Sequence, residues 1–107
     1  MRERNKVIYI AGPITGVDHY WEAFERAEDE LEAAGFVALN PTRLPKGLTF
    51  DQYMYIDQAM IDMADAVLFL PGWKESEGAC QEWAYCGKTH TTKYVSIEVL
   101  KMKERTT

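Results

Sequence analysis

A chain of 107 residues has room for one hydrophobic core and not for two, so residues 1–107 are read as a single domain. With 47% hydrophobic and 27% charged residues and no low-complexity segment, the composition is that of a folded globular protein. The net charge of -5 argues against a nucleic-acid polymer as partner, because phosphate contacts need clustered Lys and Arg, and the basic residues at the two ends (Arg2, Arg4 and Lys6, then Lys101, Lys103 and Arg105) read as solubilising tails.

The first element is Lys6 to Ala11, a β-rich apolar run that ends in Gly12-Pro13-Ile14-Thr15-Gly16. Its apolar part is too short for a signal peptide and no run in the chain approaches bilayer length, so a cytoplasmic protein without a membrane partner is expected. A strand, a Gly-bounded loop and a helix open a βαβ unit. The helix is expected from near Asp18 to about Ala34, with Trp21, Phe24, Ala27, Leu31 and Ala34 on its apolar face and Gly35 closing it. Phe36 to Leu39 is a short second strand, and residues 42–49, with Pro45 and Gly47, are loop.

Phe50 to Ala64 has helical periodicity through Tyr53, Ile56, Met60, Met63 and Ala64. On a wheel of about 100° per residue, Asp57 falls beside the edge of that face and Asp62 points away. Ala66 to Leu70 is an unbroken apolar run, a buried third strand, stopped by Pro71-Gly72. A helix is expected from Ser76 to about Cys86, bearing Glu82 beside the Ala79, Trp83 and Cys86 face. Tyr94 to Ile97 alternates as a fourth strand, and the tail from Lys101 is expected to fray. Strands alternating with helices give an α/β, three-layer, Rossmann-like (flavodoxin-like) sandwich with a parallel sheet of about four to five strands.

Cys80 and Cys86 lie roughly 9 Å apart along one helix, too far for a disulfide, and read as small core residues in a reducing compartment. His19 and His90 have no companion ligands and are expected at loop or surface positions. No metal site is indicated.

In open parallel sheets, ligands bind in the crevice beyond the carboxyl ends of the strands. The Gly12 to Gly16 loop, Asp57, the Pro71 to Ser76 loop and Glu82 are expected to meet there, with the Tyr9 phenol pointing into the same crevice. The Gly loop lacks both the dinucleotide fingerprint and a P-loop Lys, so neither NAD binding nor ATP hydrolysis is supported. Such a loop can still hold one phosphate or a sugar hydroxyl through backbone N–H groups. Ser76 reads as a helix N-cap, and its hydroxyl can also donate to an anion at that terminus. Trp73, Tyr53 and Tyr55 read as core or interface residues, with stacking on a base as the alternative.

Three features together resemble the nucleoside 2-deoxyribosyltransferase superfamily: Tyr9-Ile10-Ala11-Gly12-Pro13-Ile14-Thr15-Gly16, the Ala64-Asp65 pair before an apolar strand, and Ser76-x-Gly78-x-x-x-Glu82. The closest resemblance is to its small bacterial and phage branch, in which Leu-Pro-Gly-Trp followed by Ser-x-Gly-Ala is typical, and there is also likeness to the 2′-deoxynucleoside 5′-phosphate N-hydrolases. The resemblance spans nearly the whole chain. It implies Glu82 as nucleophile, Asp57 as a second catalytic carboxylate and Tyr9 as the residue orienting Glu82. Substrate contacts are implied for Gly12, Ile14, Thr15, Gly16, Ser76 and Gly78, and Trp73 is a candidate for the base.

A Ser at the first motif position resembles the hydrolases, in which it meets a 5′-phosphate. The hydrolases' first-loop Arg is missing here. The expected activity is cleavage or transfer at the N-glycosidic bond of a (deoxy)ribonucleoside or its 5′-monophosphate, with no metal or organic cofactor, in a homodimer or larger homo-oligomer. The competing expectation is a non-catalytic module of the same fold that binds a nucleotide or nucleotide-derived signal.

Overall fold

The computed structural model describes residues 5–105; Arg2 and Arg4 lie outside them. Four strands, Val7–Ala11 (β1), Val37–Leu39 (β2), Ala66–Phe69 (β3) and Thr92–Tyr94 (β4), form one parallel sheet in the order β2-β1-β3-β4. Four helices connect and follow them: Tyr20–Ala33 (α1), Phe50–Met63 (α2), Glu77–Thr89 (α3) and Ile97–Glu104 (α4). Among the described residues no helix is long and apolar enough to cross a membrane.

The sheet is apolar on both faces, which is why β1 and β3 read as continuous runs instead of alternating ones. Ile8, Ile10, Ala66, Leu68 and Leu70 pack on one side with Phe24, Ala27 and Leu31 of α1 and Leu100 of α4. Tyr9, Ala11, Val67 and Phe69 pack on the other with Ile61 of α2 and Cys86 of α3. The expected three-layer α/β sandwich is therefore present, with four strands. Asp65 ties its two central strands together at their start. Its N–H donates to Val7 O at 2.7 Å, and its Oδ2 accepts from Val7 N–H at 2.7 Å.

Several details differ from expectation. Helix α1 begins at Tyr20 because His19 takes a left-handed conformation, φ 54°, at the N-cap without a side-chain cap. Gly35, φ 93°, stands just beyond its end, where a left-handed residue closes a helix. Trp21 and Ala34 are exposed, and Glu28 takes a place on the buried stripe. Helix α2 is rotated from the expected face: Asp57 and Ile61 are its buried residues, whereas Met63 is 63% exposed.

The tail is not frayed. Ser96, expected in a fourth strand over Tyr94 to Ile97, instead caps α4, its Oγ accepting from Val99 N–H at 3.2 Å, and the strand ends at Tyr94. Leu100 is fully buried, Lys101 pairs with Glu30 of α1 at 2.7 Å, and Glu104 accepts from Lys6 at 3.2 Å and from Tyr94 Oη at 2.6 Å. Cys86 is buried as expected, but Cys80 is exposed and directs its Sγ to Lys74 O at 3.3 Å; both are free thiols.

Candidate functional site

Strand β1 presents its odd-numbered side chains to the α2 and α3 layer, so the Tyr9 ring is fully buried between these helices. Its Oη donates to Glu82 Oε2 at 2.9 Å. Helix α3 starts where expected because Ser76 caps it, Oγ accepting from Ala79 N–H at 3.2 Å. From that start, Ala79, Glu82 and Cys86 fall on one buried stripe, which takes Glu82 to 4% exposure. Asp57 comes from α2 at 5% exposure, and its Oδ1 is buried without a hydrogen-bond partner.

Packing two carboxyls and a phenol away from water shifts all three in the same direction. Burial first, and then the neighbouring Asp57, push Glu82 from 4.5 up to about 9, with the Tyr9 hydrogen bond acting against the rise. Burial raises Asp57 as well, opposed by Glu82 and Tyr9. Burial and the adjacent carboxyls hold the Tyr9 phenol well above 10. At neutral pH the carboxyl pair therefore keeps a proton, and the phenol stays a donor.

These groups line a cavity of about 170 Å³ at the carboxyl ends of the central strands. Gly12, Ile14, Thr15, Ser76 and Gly78 line it too, as expected. Gly12 leaves β1 where a Cβ would stand 3.1 Å from Leu70 Cβ and 3.2 Å from Phe24 Cζ, so bare backbone is what fits at this corner. Two expected members are elsewhere. Gly16 is an exposed turn residue with φ 77° outside the cavity wall. Trp73 is outside it as well, because its ring stacks on Trp83 at 4.3 Å and 12° and leans on Phe69 at 5.3 Å.

Sequence reasoning missed most of the opposite wall, Tyr20, Pro41, Thr42, Leu44, Lys46, and Phe50 and Met54 of α2; Tyr53, for which stacking on a base was the alternative reading, lies on it too. The signal for the α2 part of it was present. Phe50, Tyr53, Met54 and Asp57 follow three- and four-residue spacing, and phasing α2 on its first residue instead of its last puts them on one stripe. Pro41 to Lys46 belong to the loop after β2, which the crevice rule places at the same sheet end as the Gly12 loop. Lys46 is the one cationic side chain among the described residues lining the cavity. No group of three or more His, Cys, Asp or Glu side chains among the described residues is placed to hold a metal ion.

Residues 6–95 match the protein family described as Domain of unknown function (DUF4406). Among solved structures, the chain is similar to a 2-desoxiribosyltransferase from Leishmania mexicana, with a TM-score of 0.66 and 20% sequence identity. That match covers 82% of this chain and 61% of the other, so it spans somewhat under two thirds of the neighbour's length. At this identity the likeness establishes the fold. No curated protein matches the chain.

Proposed function

The chain belongs to the DUF4406 family, and from that premise and the cavity we propose that it cleaves or transfers at the N-glycosidic bond of a (deoxy)ribonucleoside or its 5′-monophosphate. The observation that carries the reading is the buried group itself. Tyr9 donates to Glu82 at 2.9 Å, and Asp57 stands beside both at the same cavity with its Oδ1 buried and without a hydrogen bond. A buried carboxyl oxygen left without a hydrogen bond in the protein suits a polar atom on a ligand. Retaining glycoside chemistry asks for this pair, one carboxylate to attack and one to manage the leaving-group proton.

In this reading the proton held by the carboxyl pair is the working proton. With it on Asp57, Glu82 is an ionised nucleophile and attacks C1′ while the C1′–N bond breaks toward the base. Asp57 gives its proton to the departing nitrogen. The resulting glycosyl ester is opened by water, whose proton passes to Asp57 and whose hydroxyl ends on C1′, or by the nitrogen of a second base in transfer. The Tyr9 hydroxyl steadies the ionised form of Glu82, since its hydrogen bond lowers the Glu82 pKa. Ionised Glu82 also offsets the positive charge of an oxocarbenium-like transition state. The chemistry needs no metal or organic cofactor.

Ser76 uses an oxygen lone pair on Ala79 and keeps its O–H to donate. Together with Lys46 it favours a 5′-monophosphate over a free 5′-hydroxyl. The reading includes a cytoplasmic protein and a homodimer or larger homo-oligomer, for which Tyr55 and Met63, 79% and 63% exposed on α2, offer apolar surface. The alternative, a binding module without turnover, is favoured by one observation: burial raises Glu82, which works against an ionised nucleophile.

The deciding experiment incubates the purified protein with a panel of nucleosides and 5′-mononucleotides, with and without an acceptor base, and follows free base by chromatography. Base release or exchange is expected, falling by about a thousandfold or more in Glu82→Ala. No turnover, with a nucleotide still raising the melting temperature, selects the binding module.

A further inference from the structure

Outside the Tyr9, Asp57 and Glu82 group, one carboxylate among the described residues is buried, Glu28 at 8% exposure. It stands on the stripe of α1 that otherwise carries Phe24, Ala27 and Leu31, where an apolar side chain would pack without the cost of desolvating a charge. The glycosidic mechanism does not use it. Its Oε1 accepts from Asn40 Nδ2 at 3.2 Å and from Arg43 Nη2 at 2.6 Å. Burial favours a proton on Glu28, but the hydrogen bonds of Arg43 and Asn40 and the charge of Arg43 prevail and hold the carboxyl below its ordinary value.

What this anion fastens is the missed wall of the cavity. Asn40 caps the 3-10 turn at Pro41–Arg43, its Oδ1 accepting from Thr42 N–H at 3.0 Å and from Thr42 Oγ1 at 2.7 Å. At the other end of the loop, Tyr53 Oη donates to Pro45 O at 2.6 Å and accepts from Leu48 N–H at 3.3 Å. Between the two ties run Pro41, Thr42, Leu44 and Lys46, all four on the cavity. A loop with so little regular structure takes its shape from such side-chain bonds.

We infer that Glu28 is a positioning residue of the candidate site: through Asn40 and Arg43 it holds the Pro41 to Lys46 wall in the shape that receives the ligand, without touching the ligand. The inference deepens the glycosidic reading and rests on it for the identity of what is received. The catalytic group sits on β1, α2 and α3, so loosening this wall acts on binding more than on the chemical step.

The test compares the parent with Glu28→Gln, which removes the charge that draws Arg43, and Glu28→Leu, which removes the bonds to both Asn40 and Arg43. Amide hydrogen exchange at pH 7 is expected to speed up about tenfold at Thr42 and Leu44 in Glu28→Leu, and by less in Glu28→Gln, with β1 and β3 amides within about twofold of the parent. With the substrate the panel identifies, KM is expected to rise about five- to tenfold while kcat stays within about twofold. Should Glu28→Leu weaken the whole fold, β1 and β3 exchange will register it. Arg43→Gln, which cuts the same tie from the exposed side, must then reproduce the loop and KM effects. Unchanged exchange at Thr42 and Leu44, or a loosened loop with unchanged KM, overturns the inference. A parent without turnover on the panel defeats the glycosidic reading alone, and loop exchange then decides the role of Glu28 by itself.

Discussion

The Tyr9 hydroxyl donates to Glu82 Oε2 with Asp57 beside it, and Tyr9 and Glu82 are buried. Tyr9→Phe keeps the ring in its place and removes only the donor. We expect kcat for base release to fall roughly ten- to a hundredfold, because an ionised Glu82 loses the phenol donor that steadies it. Unfolding in urea should register only about 1 kcal/mol, the usual net worth of one hydrogen bond. An unchanged kcat would reduce Tyr9 to packing. At this scale the meeting of Tyr9, Asp57 and Glu82 at one cavity was legible from the crevice rule, and the resemblance pointed to the same three residues. Glu28 was not, because a Glu in the middle of an amphipathic helix is ordinarily solvated. Only the tertiary approach of Asn40 and Arg43, twelve and fifteen positions on, reveals its role.

Among the elements, α4 shows where local pattern misleads. Tyr94-Val95-Ser96-Ile97 alternates like a strand, yet Ser96 followed by Ile97-Glu98-Val99-Leu100 also has the grammar of a capped helix start, and the cap prevails. The basic tail is held because Lys101 has Glu30 to meet and Leu100 fills the space beside Ile8, Ile10 and Leu31. Leu100→Ala should therefore cost about 2–4 kcal/mol in denaturant unfolding, the range for a truncated core leucine. A loss under about 1 kcal/mol would mean that α4 packs loosely and contributes little. Helix α2 shows the reverse error: its boundaries were legible to within a residue, but its phase was not. Met60, Met63 and Ala64 near its end and Tyr53 and Ile56 before them define one plausible face, while the stripe that is buried runs through Asp57, a residue type that hydrophobic periodicity discounts. The Trp73 ring went to Trp83 for a similar reason, since two indoles on adjoining segments gain more by stacking on each other and packing against the Phe69 ring than by facing solvent.

For the molecule as a whole, the strand order β2-β1-β3-β4 sends the chain outward in opposite directions from the β1 and β3 pair, and the cavity lies where those directions part. The fold thus sets where the cavity lies, and the buried carboxyls at it and behind its wall feed back on the stability of the fold. Glu28, held below its ordinary value, contributes stability that is present above its unfolded pKa and is lost as pH falls through the folded one. Glu82 acts in the opposite sense. Its folded value of about 9 stands above 4.5, so between those limits the folded chain holds a proton that the unfolded chain has released, and stability declines as pH rises across that window. Asp57, raised by burial, adds a decline of the same sign. Glu82→Gln keeps the shape, leaves Tyr9 an amide oxygen to donate to, and removes the titration. Its melting temperature should match the parent's most closely near pH 5 and stand progressively higher at pH 7 and pH 9, while base release is lost. Melting curves that stay parallel from pH 5 to pH 9 would show that Glu82 ionises in the fold much as it does in the unfolded chain. The proton assigned to the carboxyl pair, and with it the route proposed from Glu82 through Asp57 to the leaving base, would then have to be abandoned.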